Sequence, residues 1–239
     1  MVDEDTADRG SRFQAVLDSV MGQTAGPRPD MVCGAALLRL GTSGVGITVA
    51  VSEQLLQNAS AAGTGHVGDG IQAELGEGPA YAAHVTGWPA LAADLATDDR
   101  WPAFALAAGE AGIRASFSFP IRSGEVRLGT MNLYRGAADP LSDGEYADAL
   151  IFARLALDML TAPGVAGEPT SASNGHALLG GGRSTPQVHQ ATGMVSIQLG
   201  IDVAGALAAL RARAYASECN MSDIAADVVA RRLHFGEDT

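Results

Sequence analysis

The stretch IRASFSFPIRSGEVRLGTMNLYR, residues 113–135, carries the clearest β-strand pattern in the chain. Side chains that should point inward and outward alternate over two segments, as expected of half-buried strands. Between the segments stand Ser123 and Gly124, a pair typical of a tight hairpin turn. The stretch therefore predicts an antiparallel β-hairpin.

The chain before this hairpin contains patterns of both helices and strands. Apolar runs on either side of the glycine-rich sequence GTSG predict two antiparallel strands, at 31–40 and 44–51. A glycine-rich segment at 61–70 is typical of a mobile loop. Apolar spacing, prolines and glycines predict the other elements, which are helices at 9–21, 52–60, 78–87 and 100–112 and a strand at 88–95.

The chain after the hairpin is predicted to be helical, with one break. Ser142 and Glu145 have the spacing of a capping box at the start of a helix over 142–160. The following segment is rich in Gly, Pro, Ser and Ala, which is typical of a linker. Capping and helix-ending residues then separate three helices, at 185–199, 202–217 and 221–234. We therefore predict an α+β domain with an antiparallel sheet over 1–161, a linker over 162–183 and a small three-helix bundle over 184–239.

The composition excludes several classes of function. All 15 basic residues are arginines, so the chain lacks the lysine that a P-loop or a pyridoxal-phosphate enzyme requires. The net charge of −12 argues against a protein that binds nucleic acid mainly through bulk electrostatics. Because no apolar run is long enough to span a bilayer and the N-terminus is acidic, we expect a soluble cytoplasmic protein without membrane contact. Cys33 and Cys219 are expected to be reduced thiols.

One glycine in the C-terminal segment needs an explanation. In VHQATGMVSIQLGID, residues 188–202, apolar side chains share one helical face, and Gly193 lies within that helix. A glycine inside a helix costs about 1 kcal/mol relative to alanine. Either a neighbouring helix packs close to Gly193, or an external group such as a looped-out base approaches the backbone there. The sequence leaves both interpretations open.

The first domain resembles a GAF domain. The resemblance rests on the order and spacing of four motifs, which are LGEGPA at 75–80, DDRWPAF at 98–104, ASFSFPI at 115–121 and RLGTMNLY at 127–134. It covers most of residues 9–161. It implies a small-molecule sensor in which helices cover an antiparallel sheet.

The last segment resembles an ANTAR domain. HQATGMVSIQLGIDVAGALAALRARA, followed by MSDIAADVVARRL, is similar to that family's pattern at Ala191, Gly193, Met194, Leu210, Arg211 and Ala214. The resemblance implies a homodimer that binds RNA. Each three-helix unit would hold one of two hexanucleotide-loop hairpins in a nascent transcript, so that a terminator cannot form.

The ANTAR resemblance implies an RNA-contacting surface that includes Ala191, Thr192, Gly193, Arg211 and Ala214. Tyr215 is a further candidate for this surface, because it follows Arg211 by four residues on the same helix face. The alternatives are a solvated arginine at Arg211 and a core or dimer-interface position for Tyr215. Thr192 stands where many ANTAR domains carry a lysine or an arginine. Residues 184–239 hold four arginines against six acidic residues, so we expect loop shape and base stacking to matter more than bulk charge. DNA binding is not expected, because the last helix lacks the basic character of a recognition helix.

Five residues of the first domain are candidates for the lining of a ligand cavity: His66, His84, Trp101, Phe104 and Arg114. Aromatic side chains are common in small-molecule cavities, although core packing is the alternative for both aromatic residues. Arg114 is a candidate partner for an anionic ligand, with a salt bridge at a strand edge as the alternative. For the histidines, ordinary surface or core positions are the alternative.

The sequence contains no pattern of a metal or catalytic site. The histidines lack ligand spacing, and no nucleophile, base and orienting group occur together in a known arrangement. We therefore expect no enzyme activity, no metal and no cofactor other than an unidentified small ligand.

Two functions remain as hypotheses. The first is a ligand-responsive antiterminator that binds tandem RNA hairpins as a homodimer. The second is a signalling adaptor whose helical bundle binds a protein partner and has lost RNA binding, which Thr192 and the acidic C-terminal tail favour.

Overall fold

The structure is a computed structural model that describes residues 2–21, 28–52, 55–161, 185–217, 219 and 221–236. The chain divides into two compact units, Met1–Gly180 and Gly181–Thr239. The predicted linker at 162–183 lies outside the described residues.

An antiparallel sheet forms the centre of the first unit. Its strand order is β2-β1-β5-β4-β3 among the described residues. The strands are β1 (Gly44–Ser52), β2 (Leu55–Gly63), β3 (Ala90–Ala92), β4 (Ala115–Ser123) and β5 (Val126–Arg135). The hairpin predicted at 113–135 is confirmed, since β4 pairs with β5 from Ala115↔Arg135 to Ser123↔Val126.

Helices cover both faces of this sheet. They are α1 (Val2–Met21), α2 (Pro29–Arg39), α3 (Gly65–Leu75), α4 (Pro79–Thr86), α5 (Pro102–Glu110) and α6 (Asp143–Thr161). The predicted capping box of α6 is confirmed. The Ser142 N–H donates to the Glu145 carboxylate at 2.7 Å, and the Glu145 N–H donates to Ser142 Oγ at 3.3 Å.

The two faces of the sheet differ in chemistry because side chains alternate along each strand. One face packs against α2 and α6 through large apolar side chains, among them Val45, Ile47, Phe117, Phe119, Met131 and Leu133. The opposite face contacts α3 and α4. We call it the polar face, because its side chains are small or polar: Gly44, Gly46, Thr48, Ser116, Ser118, Thr130, Asn132 and Tyr134.

Two elements before the hairpin differ from their predictions. The expected strand at 31–40 is helix α2, which begins at Pro29 after an extended Arg28. An apolar run has no clear period, so helix and strand are hard to distinguish in it. The expected helix at 52–60 is instead strand β2, which pairs with β1 along the sheet edge. Pairing with β1 overrides the local preference of this segment. The GTSG sequence therefore connects a helix to a strand.

The glycine-rich segment at 61–70 is not a loop, since α3 begins at Gly65. Its glycines allow close packing. A Cβ atom at Gly68 would overlap the ring of Tyr134 in β5. Here glycine lets a helix approach the polar face of the sheet. A high glycine content by itself does not distinguish such close packing from a flexible loop.

The second unit contains the three predicted helices, α7 (Thr185–Leu199), α8 (Val203–Ala216) and α9 (Met221–Val229). Asp202 caps α8 as predicted, because its carboxylate accepts a hydrogen bond from the Gly205 N–H at 2.7 Å. The third helix is shorter than its prediction. The core of the unit is formed by small and aliphatic side chains: Val188, Ala191, Val195, Ala206, Leu207, Leu210, Ala214, Met221, Ile224, Ala225 and Val228.

Among the helices that the structure describes, none has by itself the length and apolar character needed to cross a membrane. One bent pair, Gln190–Leu199 with Val203–Ala216, meets these criteria only when its two helices are taken together.

Candidate sensor site and candidate RNA-binding surface

Four buried polar side chains form a hydrogen-bonded network between α3 and the polar face of the sheet. Asp69 Oδ1 accepts hydrogen bonds from Tyr134 Oη at 2.6 Å and from Asn132 Nδ2 at 2.8 Å. Gln72 Nε2 donates to Tyr134 Oη at 2.7 Å, and Gln72 Oε1 accepts from the Ala80 N–H at 2.7 Å. No member of the network is more than 4% exposed. The network thus connects α3, β5 and the start of α4.

The sheet makes room for the acidic member of this network. A Cβ atom at Gly46 in β1 would overlap the carboxylate of Asp69, so the carboxylate lies directly over the strand backbone. Any larger residue at Gly46 would push Asp69 away from Tyr134 and Asn132. The missing side chain at Gly46 is therefore part of the site.

The network fixes the proton on Tyr134. Burial raises the pKa of Tyr134 well above its ordinary value, and the negative charge of Asp69 and the hydrogen bond to it raise this pKa further. The phenol therefore stays neutral and donates to the carboxylate. The carboxylate of Asp69 is thus engaged at Oδ1 by two buried donors.

Three buried polar atoms in or next to the network lack a hydrogen-bond partner among the described residues. Within the described part of the chain, no hydrogen-bond partner reaches Ser116 Oγ, Ser118 Oγ or Asn132 Oδ1, and all three residues are fully buried. Ser118 stands opposite Asn132 across the β4–β5 pair, so two of these atoms lie on neighbouring strands of the same face. A buried polar group without a partner costs about 1–3 kcal/mol. These atoms have almost no accessible surface, so a polar ligand would reach them only after a local rearrangement of the covering residues.

The surface of the second unit has a different character around Gly193. Gly193 is exposed on α7, and among the described residues no atom lies within 4 Å of the Cβ that could be built there. Within the described part of the chain, therefore, no neighbouring helix packs against this glycine. With respect to these residues, the backbone of α7 is open at this point.

Three of the residues predicted to contact RNA are buried, and their prediction as part of an accessible surface is wrong. Ala191, Thr192 and Ala214 lie in the core of the bundle. Thr192 Oγ1 donates to the carbonyl oxygen of Val188 in the preceding turn at 2.6 Å. A hydroxyl satisfied in this way allows a polar residue inside a small helical core.

Of the other three predicted residues, two are exposed and one is partly buried. Tyr215 is 88% exposed, Gly193 is exposed and Arg211 is half-buried. Arg211 and Tyr215 are four residues apart on α8 and therefore share a helix side, whereas Arg213 lies on another side. A guanidinium and a phenol on one side of a helix provide a charged plane and an aromatic plane, both of which can stack on bases.

The sequence comparison identifies the first unit. A family model described as GAF domain matches residues 30–152, which is just over half of the chain. The chain belongs to the GAF domain family. The matched region contains the sheet, the network and all five predicted ligand residues of the GAF domain. It ends before the C-terminal bundle, so the resemblance of residues 184–239 to ANTAR domains stays a prediction.

Several solved GAF domains are similar to this chain. A GAF domain of a phosphoenolpyruvate-protein phosphotransferase from Coxiella burnetii is 13% identical, with a TM-score of 0.49, over 64% of this chain and 92% of that one. The second GAF domain of DevS from Mycobacterium smegmatis is 17% identical, with a TM-score of 0.39, over 54% of this chain and 86% of that one. No curated protein sequence gives a significant match.

The GAF domain brings some of the predicted ligand residues together and separates others. Trp101 and Phe104 pack in one apolar cluster with Tyr134, and His84 is buried on α4. His66 is exposed and lies 3.2 Å from the Gly63 carbonyl oxygen through Nδ1. Arg114 forms the alternative edge contact, 3.6 Å from Asp94, and is half-exposed. His66 and Arg114 are therefore not placed inside the domain.

The residues that the sequence analysis missed are the polar ones. None of Asp69, Gln72, Asn132, Ser116 and Ser118 was a candidate, although all are buried beside the sheet. A signal existed in ASFSF and GTMNLY, where small or polar residues alternate with large apolar ones. Such alternation normally indicates that the polar side of a strand faces solvent. In this fold the polar side is buried because helices α3 and α4 cover it.

Proposed function

We propose that the chain is a signal-responsive RNA-binding transcription antiterminator. The GAF domain senses a small ligand, and the C-terminal bundles of a homodimer bind tandem hairpin loops in nascent RNA. This binding prevents a terminator from forming. Support comes from the resemblance of residues 184–239 to ANTAR domains and from the open backbone at Gly193.

The outward position of Gly193 is the observation that carries this proposal. The glycine costs α7 about 1 kcal/mol relative to alanine, and no described residue packs into the space that it leaves. A partner that approaches the helix backbone from outside would explain why no side chain is present. An RNA hairpin loop is such a partner, because its unstacked bases and sugars protrude.

The accessible residues suit recognition by shape and stacking. Arg211 can bond a phosphate or a guanine edge with its guanidinium fork, and Tyr215 on the same side of α8 can stack on a base. Residues 184–239 carry more acidic than basic residues, so long-range attraction contributes little to the affinity. A homodimer would compensate, because binding of the first hairpin raises the effective concentration of the second.

The buried polar site limits the ligand that the GAF domain would sense. Asn132 Oδ1 can only accept a hydrogen bond, whereas the hydroxyls of Ser116 and Ser118 can both donate and accept. A ligand with hydrogen-bond donors therefore fits these atoms, all of which can accept a hydrogen bond. Such a ligand changes RNA affinity only if it binds with different affinities to the conformation that binds RNA and to the conformation that does not.

A mobility-shift titration of the full chain tests the proposed function. The probe is an RNA with two hexanucleotide-loop hairpins, compared with the same RNA carrying one hairpin. We expect the tandem RNA to bind more tightly and Gly193→Gln to weaken its binding by about tenfold, because the added side chain covers the open backbone.

A matched glycine provides the control. Gly70 in α3 is also exposed within a helix and also has open space at its Cβ position, so Gly70→Gln makes the same change in the GAF domain. This variant should bind RNA as the wild type does. Equal affinity of Gly193→Gln and wild type, or no preference for the tandem RNA, would contradict the proposal.

A signalling adaptor is the second candidate function. Exposed aliphatic side chains at the connection between α7 and α8 favour it: Ile197, Ile201 and Val203. Exposed apolar side chains that occur close together are typical of protein contacts. The same titration distinguishes the two functions, since an adaptor without RNA binding would show no saturable, hairpin-dependent shift.

A further inference from the structure

A second surface of the GAF domain carries exposed apolar side chains and arginines around Trp88. A hollow of about 310 Å³ is lined by residues that include Trp88, Pro120, Tyr146, Leu150 and Arg154. A neighbouring hollow of about 220 Å³ is lined by residues that include Gly124, Glu125 and Arg127. Trp88 and Arg122 line both hollows. We call the two hollows together the Trp88 groove.

The backbone at Trp88 is constrained, although 71% of the residue is exposed. It follows Gly87, which ends α4 with a φ of +73°, and it precedes Pro89, whose ring fixes the backbone. The Trp88 N–H also donates to Thr86 Oγ1 at 3.2 Å. A constrained backbone and only two side-chain torsions mean that Trp88 loses little conformational freedom on binding.

Arg122 is also placed against this turn. Its Cδ and Nε lie 3.8 Å and 3.9 Å from the Cβ position of Gly87, and its Nη1 donates to the Gly124 carbonyl oxygen at 3.2 Å. Among the described residues, neither Arg122 nor Arg127 forms an ion pair, and Arg154 pairs with Asp158 at 3.1 Å. The groove thus presents two guanidiniums that have no acidic partner in the described part of the chain.

The charge of the groove is opposite to the charge of the chain. The lining residues include three arginines and one acidic residue, whereas the whole chain has a net charge of −12. Apolar side chains continue beyond the lining, since Val85 precedes Thr86 and Val126 precedes Arg127, and both are exposed. Trp, Tyr and Arg are the residues that most often dominate protein interfaces.

The groove also follows an open part of the sheet edge. Strand β3 pairs with β4 only along Ser116–Ser118, so among the described residues no strand covers Pro120–Ser123 on that side. Pro120 has no N–H and therefore weakens this edge as a template for another strand. Side-chain contacts, more than strand addition, would then determine what binds there.

We propose that the Trp88 groove binds an acidic peptide segment of a partner protein, in which an apolar anchor residue is flanked by Asp or Glu. The anchor packs between Trp88 and Leu150, and the flanking carboxylates pair with Arg122 and Arg127. This interaction goes beyond the proposed RNA binding, since it involves the other unit of the chain.

Peptide selection followed by binding measurements tests this proposal. A random twelve-residue display library is selected against the full chain, with Trp88→Ala as the counter-selection, and enriched peptides are synthesised with a fluorescent label. We expect an apolar residue among acidic ones. By fluorescence anisotropy, Trp88→Ala should weaken binding by at least about tenfold and Arg122→Gln by at least about threefold.

Leu106→Ala is the matched control, because Leu106 on α5 is 70% exposed and does not line the groove. This variant should bind the peptides within about twofold of the wild type, a difference that falls within ordinary surface effects. The proposal is overturned if no peptide is enriched, if the enriched peptides lack acidic residues, or if Trp88→Ala binds them as the wild type does. It is also overturned if Trp88→Ala dissociates a wild-type dimer, because the groove then belongs to a second copy of the chain.

Discussion

Gly193 and Gly68 are both helical glycines, yet their surroundings are opposite. Gly68 faces the Tyr134 ring, whereas the Cβ position of Gly193 is open among the described residues. We therefore expect Gly193→Ala to stabilise the C-terminal unit by about 0.5–1 kcal/mol, through helix propensity alone. Urea unfolding monitored by circular dichroism measures this change. A destabilised variant would mean that something packs on the α7 backbone.

The buried thiol of Cys33 predicts how the stability of the folded chain depends on pH. Burial raises the pKa of Cys33 from 9.0 to about 12, so the folded chain keeps a proton that the unfolded chain releases above pH 9. This contribution to stability is complete below pH 9 and declines as the pH rises towards 12.

Cys33→Ala removes that contribution. The free energy of unfolding of the wild type should fall by up to about 1.4 kcal/mol per pH unit more steeply than that of the variant. Urea titrations at a series of pH values from 8 upward measure both slopes. Equal slopes would contradict the burial of this thiol in the folded GAF domain.

Asp148 connects three helices of the GAF domain. Its Oδ1 accepts from Arg12 Nη1 on α1 at 3.2 Å, and its Oδ2 accepts from Arg39 Nε on α2 at 2.8 Å. Asp148 is nearly buried on α6, while both arginines are partly exposed. We expect Asp148→Asn to destabilise the domain by about 1–3 kcal/mol, because two guanidiniums each lose a charged partner.

The exposed pair Arg154–Asp158 on the same helix provides the comparison. Asp158→Asn should change the free energy of unfolding by about 0–1 kcal/mol, since solvent screens this pair. Thermal or urea unfolding of the two variants side by side tests the difference. Similar losses in both would show that Asp148 does not hold α1 and α2 against α6.

The elements that sequence predicted correctly are those with strong local signals. The β4–β5 hairpin has alternation and a turn, and α6 has a capping box. The predictions for the segments that form α2, β2 and α3 were wrong, because the secondary structure of these segments depends on residues far away in the sequence. The apolar run at 31–40 forms helix α2 against the sheet, and the segment at 52–60 pairs with β1 as strand β2. The glycines at 61–70 allow α3 to pack closely on the sheet.

The same distinction applies to the candidate sites. Asp69 belongs to a site only because Gly46 lies under it and Tyr134 points at it, and these residues are far apart in sequence. The exposure of Gly193 could not be inferred from helical spacing, because the glycine fits either a packed or an open face. Burial of Ala191 and Ala214 follows from how the three helices cross, which the family pattern does not specify.

The charge of the whole molecule predicts how RNA binding should depend on salt. The chain has a net charge of −12, and only a few arginines lie in the proposed RNA-binding unit. Each phosphate contact contributes about −0.7 to the slope of log Kobs against log salt for single strands, so we expect a slope of about −1 to −2. RNA titrations at salt concentrations from about 50 to about 300 mM, a range that includes the physiological ionic strength, measure this slope. A slope steeper than about −4 would require more phosphate contacts than shape recognition implies.

The two cysteines occupy very different surroundings, and this difference has a practical use. Cys33 is sealed within the GAF core, whereas Cys219 lies on the surface just beyond α8. A maleimide dye added to native protein should therefore attach at one place, on the unit that we propose to bind RNA. The natural sequence thus supplies an optical reporter of transcript capture without any engineered labelling position.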